Sequence, residues 1–133
     1  MPTNISTTDI AVSGLRAQAV RMNCIANNIA NAQTTDAGAG APYRRKDVLL
    51  SSDDEMLVGV EVGDVVADTA TDFQVLYDPG HPMANEDGYV TMPNVVVPKE
   101  MMNMMAATRA YQASVAVMKR FQDIQNATLE VLR

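Results

Sequence analysis

At 133 residues the chain is one domain with room for helical extensions. It is 47% hydrophobic but only 5% aromatic, with no Trp and ten Met, so any core is aliphatic and Met-rich. A formal net charge of −6 argues against nucleic acid as the main partner, and a single cysteine, Cys24, excludes an internal disulfide.

The charge is unevenly placed: residues 1–32 carry a net +1, residues 33–98 a net −9 and residues 99–133 a net +2. Nearly neutral ends suit packing, and an acidic middle suits water. No apolar run approaches the ~20 residues that a membrane span needs. The N-terminus has no basic region, and Asp9, Arg16 and Arg21 interrupt any apolar leader segment. The sequence therefore reads as cytosolic, or as exported by a route that cleaves no signal peptide.

The first predicted helix covers residues 8–32, within an N-terminal segment 1–32. Ser6 can cap it, with Asp9 three residues on. Ala11, Leu15, Gln18, Met22, Ile25, Ile29 and Ala32 then recur at alternating steps of four and three, the spacing of a coiled-coil seam. Val12, Ala19 and Ala26 widen the stripe. Asn23, Asn27 and Asn31 repeat every fourth residue, with Asn28 beside them. Asn weakens a helix by about 0.6 kcal/mol relative to Ala, so the ladder needs a reason. One is a solvated face near a fraying end. The other is a set of amides that fixes register with a partner, and the scarcity of Glu and Lys on this helix favours it.

Residues 33–47 are expected to form a linker, with Thr34-Thr35-Asp36 and the small run Ala37-Gly38-Ala39-Gly40. No Lys-Ser/Thr pair follows these glycines, so they make a poor phosphate cradle. Arg44-Arg45-Lys46 is a solvated loop or a salt-bridging strand edge. Residues 48–97 read as a small acidic β-module. Val58, Val60 and Val62 alternate with Gly59 and Glu61; Phe73, Val75 and Tyr77 alternate with Gln74 and Leu76; and Tyr89 to Met92 follows the turn pair Asp87-Gly88. A small antiparallel sheet or half-barrel is the expected product. Asp78-Pro79-Gly80-His81-Pro82 is dense in turn formers.

Residues 98–133 form the second predicted helix, roughly 50 Å long if unbroken. Pro98 suits its first turn and Glu100 its positive end. One stripe runs through Met101, Met104, Thr108, Tyr111, Val115, Met118, Leu129 and Leu132; a second runs through Val117, Phe121, Ile124, Thr128 and Val131. The first helix is its natural mate. The expected fold class is therefore α+β, with long N- and C-terminal helices packed as a coiled-coil-like pair and a small antiparallel β-module between them.

No catalytic constellation stands out, and neither a cofactor nor a metal is expected. His81 is the sole histidine; with Asp78, Glu86 and Asp87 it makes a conceivable carboxylate–imidazole site. Its Pro and Gly neighbours already explain the segment as a turn, and the spacing matches no calcium loop. Cys24 reads as a small buried residue. The Met101–Met105 cluster is an adaptable binding surface or core filling, two readings that converge if the core forms between subunits. The subunit-contact candidates are Leu15, Met22, Asn23, Asn27, Ile29 and Asn31 on the first helix, and Met104, Tyr111, Val115, Met118 and Leu129 on the second.

Ala26-Asn27-Asn28-Ile29-Ala30-Asn31-Ala32, preceded by Gly14-Leu15 and Met22-Asn23, resembles the N-terminal signature of bacterial flagellar rod and hook proteins. Glu100 to Met105 followed by Arg109-Ala110-Tyr111-Gln112-Ala113 resembles their C-terminal motif. Tyr77 to Pro82, Asp87 to Val90 and Met92-Pro93-Asn94-Val95 narrow the resemblance to the proximal-rod type. It implies a structural subunit of the basal-body rod in the periplasm, exported unfolded by the flagellar type III route without leader cleavage. Its terminal helices would pack in the inner layer of a helical tube that transmits torque. Its partners would be like subunits, other rod proteins and basal-body components beside the proximal rod. The longer stretch Thr34–Tyr43 departs from the Gly-Tyr usual at that point, which fits the proximal type. Two other readings stay open from the residues: a soluble coiled-coil adaptor forming a closed oligomer, and a metal-binding module at the Asp78–His81 turn.

Overall fold

The structure, a computed structural model, describes residues 6–38, 40–52 and 59–131. In chain order the elements are α1 (Thr7–Ala30), β1 (Lys46–Ser52), β2 (Val60–Ala67), β3 (Gln74–Tyr77), β4 (Tyr89–Met92) and α2 (Val97–Val131). Val58 and Leu132, which the sequence places on a strand and on a helical stripe, lie outside the described residues.

The start of α1 is the expected capping box. Ser6 Oγ accepts from the Thr8 N–H at 3.2 Å, and the Ser6 N–H donates to Asp9 Oδ2 at 3.1 Å. The helix ends at Ala30, two residues earlier than the pattern suggests. Asn31 is the C-cap: its backbone N–H makes the last helical bond to the Asn27 carbonyl (3.1 Å), and its Nδ2 donates to the same carbonyl at 2.9 Å. At the other end of the chain, Pro98 sits in the first turn of α2, where its missing N–H goes unneeded.

α1 and α2 lie antiparallel. Asn28 meets Glu100, Met22 meets Thr108, and a Cβ on Gly14 would stand 3.6 Å from Ser114 Oγ. The helices differ in length: 24 residues against 35, or roughly 36 Å against 52 Å at 1.5 Å per residue. Thr7 shares an apolar groove with Val117, Phe121 and Ile124, so α1 begins about where those residues pass. Beyond it, residues 122–131 stand exposed, with Leu129 at 66% and Val131 at 86%. Small residues make the closest contacts, since Ala17 and Ala107 are fully buried, while Leu15, Met22 and Ile29 are only half-buried. One copy of the pair thus leaves much of its wide apolar face uncovered.

One polar residue weakens the seam. Gln18 Oε1 is buried with no partner among the described residues. It lies at a cavity of about 110 Å³ bordered by Arg21, Asn103 and Ala107. A buried acceptor left unmade costs about 1–3 kcal/mol. Gln18→Met should therefore raise the unfolding temperature in a calorimetric scan, by roughly 4 °C per kcal/mol recovered.

The β-module is two separate ribbons, not the single sheet or half-barrel expected. β1 pairs antiparallel with β2 from Lys46↔Ala67 to Ser52↔Val60, with an irregularity between Val48 and Leu50. β3 pairs antiparallel with β4 from Gln74↔Met92 to Tyr77↔Tyr89. The division lies at residues 68–73. There the Asp68 carboxylate accepts from the N–H groups of Ala70 and Thr71 and from Thr71 Oγ1, building a turn that takes the chain out of the ladder. Arg44 clamps the same turn, donating to the Asp68 carbonyl at 2.9 Å with its guanidinium 4.1 Å from the centre of the Phe73 ring. β1 was not legible as a strand, because Lys46 to Ser52 lacks clean alternation; the expected 33–47 linker accordingly gives up its last two residues to it. Among the described residues, no helix is long and apolar enough to cross a membrane.

Candidate functional site

Where α1, α2 and β1 converge, the structure buries a polar node. Asn28, on the inner side of α1, is completely buried. Its Oδ1 accepts from the Lys46 N–H at 2.9 Å and from Tyr43 Oη at 3.0 Å. Its Nδ2 donates to the Lys46 carbonyl at 2.8 Å and to Glu100 Oε2 at 3.2 Å. One side chain thus pairs with both backbone groups of Lys46, as a strand neighbour would, and ties the first residue of β1 to both helices.

Glu100 is also completely buried, and its other oxygen accepts from Arg45 Nε at 2.8 Å. Arg45 Nη1 lies 3.1 Å from Asp47 Oδ2 and 3.8 Å from Asp68 Oδ2. The Arg45 N–H donates to Asn94 Oδ1 at 2.7 Å, and Asn94 Nδ2 donates to the carbonyls of Asp68 and Thr71 at 3.1 Å each. Burial disfavours the Arg45 charge, but the hydrogen bonds and charges of Glu100 and Asp47 outweigh it and push the guanidinium pKa up. Burial pushes the Tyr43 hydroxyl up as well, helped by Cys24 and Glu100 nearby.

This arrangement ties α1, α2 and the start of β1 together. The donors and acceptors are used against one another, and the carboxylate is spent on Arg45 and Asn28. The sequence motifs at 26–32, 92–95 and 100–105 are far apart along the chain, yet Asn28, Asn94 and Glu100 bring one of each to this point. Breaking one member of such a network leaves its neighbours buried and unmatched.

Cys24 is buried beside the node, and burial raises its thiol pKa, with Asp47 adding to the effect. A protonated, covered thiol is a poor nucleophile. Native protein at pH 7.5 should therefore react with iodoacetamide at least about tenfold more slowly than denaturant-unfolded protein, as read by intact-mass spectrometry.

The structure divides the Asn ladder by task. Asn28, set beside the ladder in the sequence pattern, is the buried member. Asn31 is used locally: besides capping α1, its Oδ1 accepts from Thr34 Oγ1 at 3.2 Å. Asn23 and Asn27 are exposed along an open groove of about 370 Å³ that also touches Cys24, Tyr43 and Lys46. The seam candidates Leu15, Met22 and Ile29 on α1 are half-buried, as are Met104, Tyr111, Val115 and Met118 on α2. Thr108 Oγ1 donates to the Met104 carbonyl at 2.8 Å, and Met22 Sδ lies 3.7 Å from it. Leu129 is exposed on the projecting end of α2.

Sequence reasoning missed the node. It credits Glu100 to the helix dipole. Of its two readings of Arg44-Arg45-Lys46, a solvated loop or a salt-bridging strand edge, the structure bears out the second at Arg45, without the sequence showing that the partner is a buried carboxylate. The available signal was a lone arginine-rich step in an otherwise acidic segment, which asks for a buried carboxylate. The Asp78–His81 groups serve their own turn. Asp78 Oδ1 accepts from the Gly80 N–H at 3.2 Å, and His81 Nδ1 accepts from the Met83 N–H at 3.1 Å. Among the described residues, no group of three or more His, Cys, Asp or Glu converges as a metal site would.

Two family models match the chain. Residues 9–37 match one described as flagella basal body rod protein, and residues 86–131 match one described as flagellar basal body rod FlgEFG protein C-terminal. Those stretches contain Asn28 and Glu100. The chain is similar to the flagellar basal-body rod protein FlgC of Escherichia coli O6:H1, with 43% identity covering 91% of this chain and 92% of that one. It is similar to FlgC of Salmonella typhimurium at 41% identity over the same shares. The FlgC of Bacillus subtilis is 37% identical, covering 92% of this chain and 94% of its own. The chain belongs to the FlgC family of flagellar basal-body rod proteins.

Proposed function

We propose that this rod protein works without catalysis in the proximal rod, in the periplasm, after export without leader cleavage. In this reading it assembles with like subunits and other rod proteins into a helical tube that transmits torque. Leu15, Met22 and Ile29 on α1, with Met104, Tyr111, Val115, Met118 and Leu129 on α2, meet neighbouring subunits. Asn23 and Asn27 line a groove open to a neighbour.

The observation that carries this reading is the uncovered helical surface. One copy leaves its seam half-buried and projects residues 122–131 beyond the end of α1. An apolar face of that extent is stable in water when neighbours cover it, and head-to-tail contacts that do not close on themselves give a helical filament.

The test is deletion of the gene, scoring of swimming and imaging of the remaining basal bodies. Non-swimming cells with ring structures but no rod support the reading. Normal swimming with intact rods contradicts it, and sedimentation of the purified chain would then show whether it forms a discrete, saturating oligomer as an adaptor does.

A further inference from the structure

From Asp47 to Pro98 the chain holds no Lys or Arg. Within that stretch Leu76 and Val90 pair on one face of the β3–β4 ribbon, where Val90 is fully buried and Leu76 stays exposed. On the other, Val75, Tyr77, Tyr89 and Thr91 are all exposed, with Tyr77 at 63%. Tyr77 and Tyr89 meet edge to face at 5.2 Å, which fixes a firm aromatic pair in water. Exposed Asp72, Asp78 and Asp87 border it. The result is an apolar strip with an acidic rim.

We propose that this outer ribbon face docks on the Lys99–Arg109 face of α2 in a second copy of the chain. The complement is visible on that helix. Lys99, Met102, Met105 and Arg109 follow one another at steps of three, three and four, so they form one stripe. All four are exposed, Met102 at 67%, and exposed Met101 adjoins them. Cations at both ends of a methionine strip face carboxylates around an aromatic strip. The sizes agree: Lys99 to Arg109 spans roughly 15 Å of helix, and Asp72 to Asp78 roughly 20 Å of extended chain. Flexible methionines suit ring edges, through sulfur–aromatic contact. Neither face is covered within one copy. Nucleic acid and anionic lipid would be repelled by the acidic rim.

The contact is head-to-tail, since two different faces meet, and so it propagates along an assembly. It rests on the rod reading and adds to the helix seam a contact made by the β-module.

The test places Tyr77→Cys in one tagged copy and Met105→Cys in another, both with Cys24→Ala, co-expressed in cells lacking the gene. Basal bodies are then treated with a short bismaleimide. A mixed cross-linked dimer is expected. Adding Lys99→Glu and Arg109→Glu should reduce its yield at least about tenfold, and combining these with Asp72→Lys and Asp78→Lys should restore it. Swimming cells with rods but no mixed dimer, or with a Tyr77→Cys homodimer as the main product, would overturn the proposal and leave the rod reading intact. If either cysteine variant prevents rod formation, Tyr89→Cys and Met102→Cys read the same contact. Failure of the rod reading itself shows separately, as swimming in the deletion strain.

Discussion

Replacing Glu100 with Ala is expected to destabilise the fold by about 3–5 kcal/mol, the usual cost of stranding one partner of a buried ion pair. The side chain is completely buried, and its loss would take the shared acceptor from Arg45 Nε and Asn28 Nδ2, leaving the guanidinium only the more exposed Asp47 and the more distant Asp68. Against a total stability of roughly 5–15 kcal/mol, that is a large fraction. In a thermal scan followed by circular dichroism the midpoint should fall by roughly 10–20 °C. Glu100→Gln, which keeps the shape and a carbonyl acceptor, should lose less. The double variant Arg45→Met with Glu100→Leu should recover much of the loss, because both charges then leave together. If Glu100→Ala melts within about 2 °C of the native chain, the node is not what holds the helices to β1.

The second large effect is expected on assembly. Met22→Asp sets a carboxylate on the half-buried seam against Thr108. Leu15→Asp and Ile29→Asp do the same at other turns of that stripe. Each should abolish swimming and leave basal bodies without rods, while hydrogen exchange still finds the β3–β4 ribbon protected. Met22→Leu, which keeps volume and polarity, should swim. Rods that form normally with Asp at Met22 would show that the seam is not an assembly surface.

The two helices and the strands β2, β3 and β4 were readable in the sequence because long periodic stripes, short alternating runs and a turn signal are local features. Helix ends were less so. Asn31 caps α1 with its side chain on the Asn27 carbonyl, and an apolar count cannot register that. The split of the β-module escaped for the same reason, since it rests on Asp68 gathering three donors and on Arg44 meeting Phe73. The node was the least legible part. Its members, Asn28, Arg45, Asn94 and Glu100, are polar residues that pattern reading assigns to the surface. Only the antiparallel docking of α1 on α2 brings them together out of water. Their burial is a property of the tertiary fold, and no window along the chain contains more than one or two of them.

The most direct test is electron cryomicroscopy of basal bodies from the bacterium that carries the gene. The expected map shows this chain in the rod, with α1 and α2 of one subunit antiparallel, Asn28 against Glu100, the helices on the inner side and the ribbons outside. A rod that contains no density for this chain would contradict the functional reading, and subunits whose two helices run apart with Glu100 facing solvent would contradict the node.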